Sequence, residues 1–157
     1  MTTAPMAPST PQGQRQGIIL FAHGARDARW AEPFERLRDR VNARVSARVD
    51  AQVDAQVDAQ IASPMRDTRV ALAFLELMEP GLDRAADALV ADGCMTLAII
   101  PIFFGQGSHL RRDLPLLIEK LRERLPTIEI GVAAVAGEDD DVLDAIADYC
   151  VRAATSA

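Results

Sequence analysis

No stretch of this chain approaches the ~18 uninterrupted apolar residues that a membrane-spanning helix needs, so no membrane association of that kind is expected. Only two cysteines occur, Cys94 and Cys150, far apart and without a C-x-x-C spacing. That usage fits reduced thiols in the cytoplasm rather than a disulfide framework. Basic charge is in short supply: the formal net charge is −6, whereas non-specific nucleic-acid binding needs a basic footprint. Phosphate loops are missing too. There is no G-x-x-x-x-G-K-[ST], and in "GQGSHL" the place of the third glycine of G-x-G-x-x-G is taken by Leu110. The first sixteen residues, MTTAPMAPSTPQGQRQ, lack the basic start and apolar middle of a secretory signal, so residues 1–16 are expected to be a disordered tail.

What is present suits one domain. The chain has 157 residues, of which 49% are apolar, enough for a single buried core. Four short apolar runs alternate with helical patterns. "GIILFAH" (17–23), "TRVALAFLELM" (68–78), "MTLAIIPIFF" (95–104) and "TIEIGVAAVA" (127–136) read as strands. Their apolar character is continuous rather than alternating, as in strands covered on both faces of a parallel sheet. The helices between them are expected after Arg26, with Phe34, Leu37, Val41 and Val45 on one side; after Pro80, taken as a first helical position; after Asp113, taken as an N-cap with Pro115 in the first turn; and after the "EDDD" of 138–141. The expectation is an α/β, doubly wound, flavodoxin-like sandwich over residues 17–157, with a four-stranded parallel sheet in the order 2-1-3-4. Trp30 reads as a packing residue of the first helix.

One segment departs from that pattern. From Val41 to Ile61 an apolar residue recurs every fourth position, most regularly in "VDAQVDAQVDAQ". Four residues of α-helix turn through 400°, so the stripe rotates by about 40° per repeat and cannot remain on one flat sheet. Residues 46–62 are read as a low-complexity helical insert extending the first helix, either overhanging the body or serving as a dimerisation arm.

In doubly wound sheets, ligands bind outside the carboxyl ends of the strands. The chain has two histidines, and each follows such an end: His23 after the first strand in "FAHGARD", His109 after the third in "FFGQGSHL". Strands one and three are neighbours in the order 2-1-3-4, which brings both imidazoles to one edge. Glu76, in "ALAFLEL", is a carboxylate in an otherwise apolar run beside strand one, within reach of His23. Two imidazoles and a carboxylate suit a divalent first-row ion and can also take up protons near neutral pH. Arg26, Arg29, Arg111 and Arg112 would add a positive rim able to hold carboxylates. Ser108 beside His109 raises nucleophilic hydrolysis as an alternative, but no strand–Ser–turn–helix elbow surrounds it.

"HGARD", "VALAFLELMEP" and "IIPIFFGQGSHLRRDLP", in this order and spacing, resemble the small CbiX-type sirohydrochlorin chelatases of the class II chelatase group. The resemblance covers about 17–45 and 66–136. It implies an ATP-independent lyase, a cobaltochelatase first of all, that inserts Co2+, Fe2+ or Ni2+ into sirohydrochlorin on a route to cobalamin or sirohaem. The metal would be a substrate, with no permanently bound cofactor. By the same resemblance His23 and His109 are the metal-handling and catalytic histidines and Glu76 the accompanying acid. Arg26, Arg111, Arg112, Gly105, Gly107 and Ser108 would contact the tetrapyrrole, the glycines giving clearance to a bulky ring. A chain of this length is one lobe of a two-lobed architecture, which implies a homodimer. One departure is Ala25, where the family's first motif usually has serine. A non-catalytic carrier of metal or tetrapyrrole is the alternative reading.

Overall fold

The computed structural model describes residues 15–54 and 67–156. Strands β1 (Arg15–Ala22), β2 (Thr68–Phe74), β3 (Cys94–Pro101) and β4 (Glu129–Val132) form one parallel sheet in the order β2-β1-β3-β4. Helices α1 (Glu32–Asp54), α2 (Leu82–Ala91), α3 (Ser108–Arg124) and α4 (Asp140–Ser156) follow the strands in turn, with 3-10 turns at Ala28–Ala31 and Ala136–Glu138. The α/β class and the flavodoxin-like order are those expected from the apolar runs.

β1 is paired on both sides, Ile19 lying opposite Ala71 of β2 and Ile99 of β3. Its alternation divides the core. Ile19 and Phe21 are fully buried on one face, where α2 adds Leu82, Ala85, Ala86 and Leu89 and α3 adds Leu110, Leu114, Ile118 and Leu121. Leu20 and Ala22 point the other way, with Leu72 and Phe74 of β2, against Phe34, Leu37 and Val41 of α1. Each large apolar side chain so buried contributes about 1.5–3 kcal/mol, so the face under α2 and α3 is the main core.

Several boundaries differ from the sequence expectation, for local reasons. β2 stops at Phe74, because the Phe74 N–H bonds to Pro80 O and the Leu75 N–H to Ala22 O, turning the chain out of the sheet. Glu76 therefore lies in a loop beyond the strand. α2 starts at Leu82 behind Gly81, so Pro80 precedes the helix instead of opening it. α3 starts at Ser108, well before Asp113, and its N-cap is Gly107. The apolar stripe explains this: Leu110 is buried together with Leu114, Ile118 and Leu121, so the helix must already be formed at Leu110. Asp113 and Pro115 consequently lie inside α3, and Pro115 leaves the Arg111 carbonyl without its helical donor. β1 begins at Arg15, and α1 continues through the repeat to Asp54; residues 55–62 of the insert lie outside the described residues, as do residues 1–14 of the tail.

The second face of the sheet is only partly covered. α1 lies over β1 and β2, while α4 buries none of its residues. Among the described residues no helix is long and apolar enough to cross a membrane.

Phe21 is central to the better-packed face, its ring edge-on to Phe103 at a centroid distance of 5.7 Å. Phe21→Ala is expected to lower the unfolding free energy by about 3–5 kcal/mol, read as a reduced urea midpoint with an unchanged slope.

Candidate functional site

β1 and β3 are adjacent and parallel, so the chain leaves both at the same edge, and the segments that follow carry the two histidines. Directly after β1, Nδ1 of His23 lies 3.2 Å from Oε1 of Glu76. The same oxygen accepts the backbone N–H of Gly24 at 3.1 Å. A carboxylate has no proton to donate, so Nδ1–H is the donor, and the lone pair of the neutral ring is on Nε2. The two side chains are 50% and 40% exposed. A hydrogen bond that exposed adds little to stability; its effect is to orient the ring.

Three further contacts hold His23. Its carbonyl accepts the indole N–H of Trp30 at 2.8 Å. Its ring packs edge-on to Phe103 at 4.6 Å, and Phe103 is buried against Phe21 in the core. Gly24 is required where it stands, because a Cβ there would sit 1.7 Å from the Glu76 carbonyl oxygen. The loop bearing Glu76 is tightly turned: Leu77 has φ 62° and the Met78 N–H bonds to Glu76 O.

The other sequence candidates lie around this pair without touching it. His109 is exposed in the first turn of α3, and Ser108, also exposed, opens that helix. Gly105 and Gly107 are exposed, with open space where a Cβ would be. Arg26 is exposed in the loop after His23, and Arg111 and Arg112 are exposed on α3. The structure thus joins His23 to Glu76, while His109 forms no hydrogen bond or ion pair with either. Among the described residues no three His, Cys, Asp or Glu side chains converge as a metal site. The rim also carries two exposed apolar side chains, Leu77 (65%) and Phe104 (70%).

A profile of the CbiX family matches residues 17–153. The chain belongs to the CbiX family. Among its relatives, a sirohydrochlorin cobaltochelatase of Sulfolobus acidocaldarius is 32% identical over 84 residues, 54% of this chain and 66% of that protein. A sirohydrochlorin ferrochelatase of Priestia megaterium is 29% identical over 77 residues, 49% of this chain and 29% of that protein. Among solved structures, a cobalamin-biosynthesis CbiX protein of Marinobacter aquaeolei VT8 superposes with a TM-score of 0.66 at 28% identity, over 90% of this chain and 99% of that one. The sirohydrochlorin chelatase SirB of Bacillus subtilis subspecies spizizenii, solved in complex with cobalt, shares the fold with a TM-score of 0.54, at 24% identity over 86% of this chain and 49% of that one. The matched segment therefore spans less than two thirds of these curated relatives, and about half of the SirB chain.

Within this CbiX-family chain, three residues that hold the site were not singled out as such by the sequence. Trp30, expected as a packing residue of α1, lies in the preceding 3-10 turn, 46% exposed, and fastens the His23 backbone. Phe103 supports the His23 ring. Gly137 lies against the Phe104 backbone, where a Cβ would come within 1.8 Å of the Phe104 carbonyl oxygen, and its N–H bonds to Phe103 O at 2.9 Å. The aromatic pair next to Gly105 was the available signal for Phe103; the other two contacts join separate chain segments and leave no local mark.

Gly24→Ala is expected to force Glu76 away from His23 while leaving the sheet intact. In the parent, nitrogen-15 NMR of the neutral His23 ring should show the Nδ1–H tautomer. In the variant, the two tautomers should mix, with unchanged far-ultraviolet circular dichroism.

Proposed function

We propose that the chain catalyses ATP-independent insertion of a divalent metal into sirohydrochlorin, Co2+ first, with Fe2+ and Ni2+ as the other candidates. The reaction is placed in the cytoplasm, on a route to cobalamin or sirohaem, in a homodimer whose two rims face one cleft. The observation that carries this reading is the His23–Glu76 pair, held at the carboxyl edge of a CbiX-family lobe with Nε2 left free. The names of the relatives support the substrate, and half-length coverage of SirB supports the single lobe.

The chemistry balances as one M2+ in and two protons out. Two pyrrolic N–H bonds break as the metal bonds to the ring nitrogens. His23 and His109 present the ion or receive those protons and pass them to water. The Glu76 carboxylate at Nδ1 stabilises the imidazolium formed when Nε2 of His23 takes a proton. Arg26, Arg111 and Arg112, which form no ion pair with any described residue, would hold the macrocycle carboxylates. The exposed side chains of Leu77 and Phe104 would meet its flat apolar face, and the open space at Gly105 and Gly107, beside the exposed Ser108, would admit it.

Incubation of the protein with Co2+ and sirohydrochlorin, followed by absorbance, tests this. His23→Ala and His109→Ala should each lower the insertion rate by about 10²-fold or more, and Glu76→Gln by about 10–100-fold. Two histidine variants at the wild-type rate would refute the assignment. Stoichiometric binding with no acceleration over the spontaneous reaction would instead identify a carrier. Phe104→Ala should raise KM with little change in kcat, as expected for a contact made equally in ground and transition states.

A further inference from the structure

The loop between β2 and α2 contains one side chain that the fold does not use. The Phe74 N–H on Pro80 O, at 2.9 Å, closes the base of this loop. Inside it, Leu75 packs on the core under α2 and α3, Glu76 reaches His23 and the Gly24 amide, and Met78 packs on the core under α1. Leu77 is the exception, with its side chain 65% exposed.

One exposed leucine is ordinary on a protein surface. This one also stands in an unfavourable backbone conformation. Leu77 has φ 62°, and the Met78 N–H bonds to Glu76 O at 2.8 Å. A hydrogen bond across a single residue at positive φ is the rare, strained form of γ-turn, in which the Cβ crowds the backbone. Among the described residues, Leu77 is the one non-glycine residue at positive φ.

The turn itself has a use. It sets the Glu76 carbonyl against Gly24, where a Cβ would lie 1.7 Å from that oxygen, and leaves the carboxylate at His23. Glycine at position 77 would make the same turn without the steric conflict. The backbone therefore accounts for the turn and not for the leucine. Packing within the chain does not account for it either. What remains is a contact with something outside the chain, made beside the His23–Glu76 pair, and strained residues gather at ligand sites in this way.

The rim gives the shape of that ligand. β2 and β3 flank β1, so the segments bearing Leu77 and Phe104 leave the sheet two strand spacings apart, about 9.6 Å, with His23 between them. Phe104 is itself 70% exposed. A ligand that lies over His23 and touches both side chains is on the order of 10 Å across, wider than a single five- or six-membered ring.

We propose that Leu77 is a specificity-determining residue, held in a strained turn so that its side chain contacts a flat apolar macrocycle while Glu76 faces His23. This rests on the sirohydrochlorin reading above and adds the residue that selects the ring. Folding stability and ring affinity are opposed at this one position.

Metal-free sirohydrochlorin titrated into the full chain should quench the fluorescence of Trp30, the sole tryptophan, whose indole is bonded to His23 O. Leu77→Ala keeps the strain and removes the contact, whereas Leu77→Gly removes both. Each should weaken sirohydrochlorin binding by roughly tenfold or more. The urea midpoint of Leu77→Gly should exceed that of Leu77→Ala, the reverse of the order at ordinary positions, where glycine is the less stable. Nitrogen-15 NMR of Leu77→Ala should still show the Nδ1–H tautomer of His23. Unchanged affinity in Leu77→Ala, or a glycine midpoint no higher than the alanine one, overturns the inference and leaves metal insertion by the parent standing. Mixed His23 tautomers in Leu77→Ala overturn it as well, since affinity would then be lost through Glu76. So does a loss of assembly in place of affinity, which would assign the side chain to a protein partner. A parent that binds no sirohydrochlorin overturns both this inference and the reading beneath it.

Discussion

Hydrogen bonds run from β1 to β2 on one side and to β3 on the other, all parallel, so the chain must leave three successive strands at a single edge. That constraint gathers His23, the Glu76 loop and the segment leading to α3, of which Phe103 reaches back into the core. It also sets how the edge is fastened. The Ala22 carbonyl accepts the Leu75 N–H, and the Phe21 carbonyl accepts the Ile102 N–H at 2.7 Å. The last residues of β1 thereby fix the first residues beyond β2 and β3. The His23 side chain is half exposed at this rim, while the backbone just before it is hydrogen-bonded into the sheet.

The rim separates position from reactivity. Phe21, Phe103 and the His23 ring form a continuous aromatic series from core to surface, so the imidazole is held by packing on one side and is wet on the other. Glu76 and the Gly24 amide supply its polar partners. Both side chains of the pair are about half exposed, so the pair is open to solvent and to a ligand.

The strands and their order were legible in the sequence because burial on both faces writes continuous apolar runs, and only a few right-handed orders accommodate four of them. The location of both histidines past strand ends was legible for the same reason. The start of α3 was not, since Asp113 is an attractive cap and only the burial of Leu110 reveals that the helix has already begun. The fit of Gly24 under Glu76 was also hidden, for it joins residues more than fifty positions apart. α4 shows the limit differently. Its alternation of Asp and apolar residues declares an amphipathic helix, but amphipathicity does not say which sheet receives it.

The parallel arrangement has a consequence for the repeat. α1 leaves the rim and runs to the opposite edge, where β2 must begin, and Arg15 at the start of β1 bonds there to Asp67 at 2.6 Å. The repeat enters α1 at residues 49–54, the end of that helix away from His23 and Glu76. The far end of α1 and the edge that carries His23 and Glu76 are thus held apart by the full length of the strands.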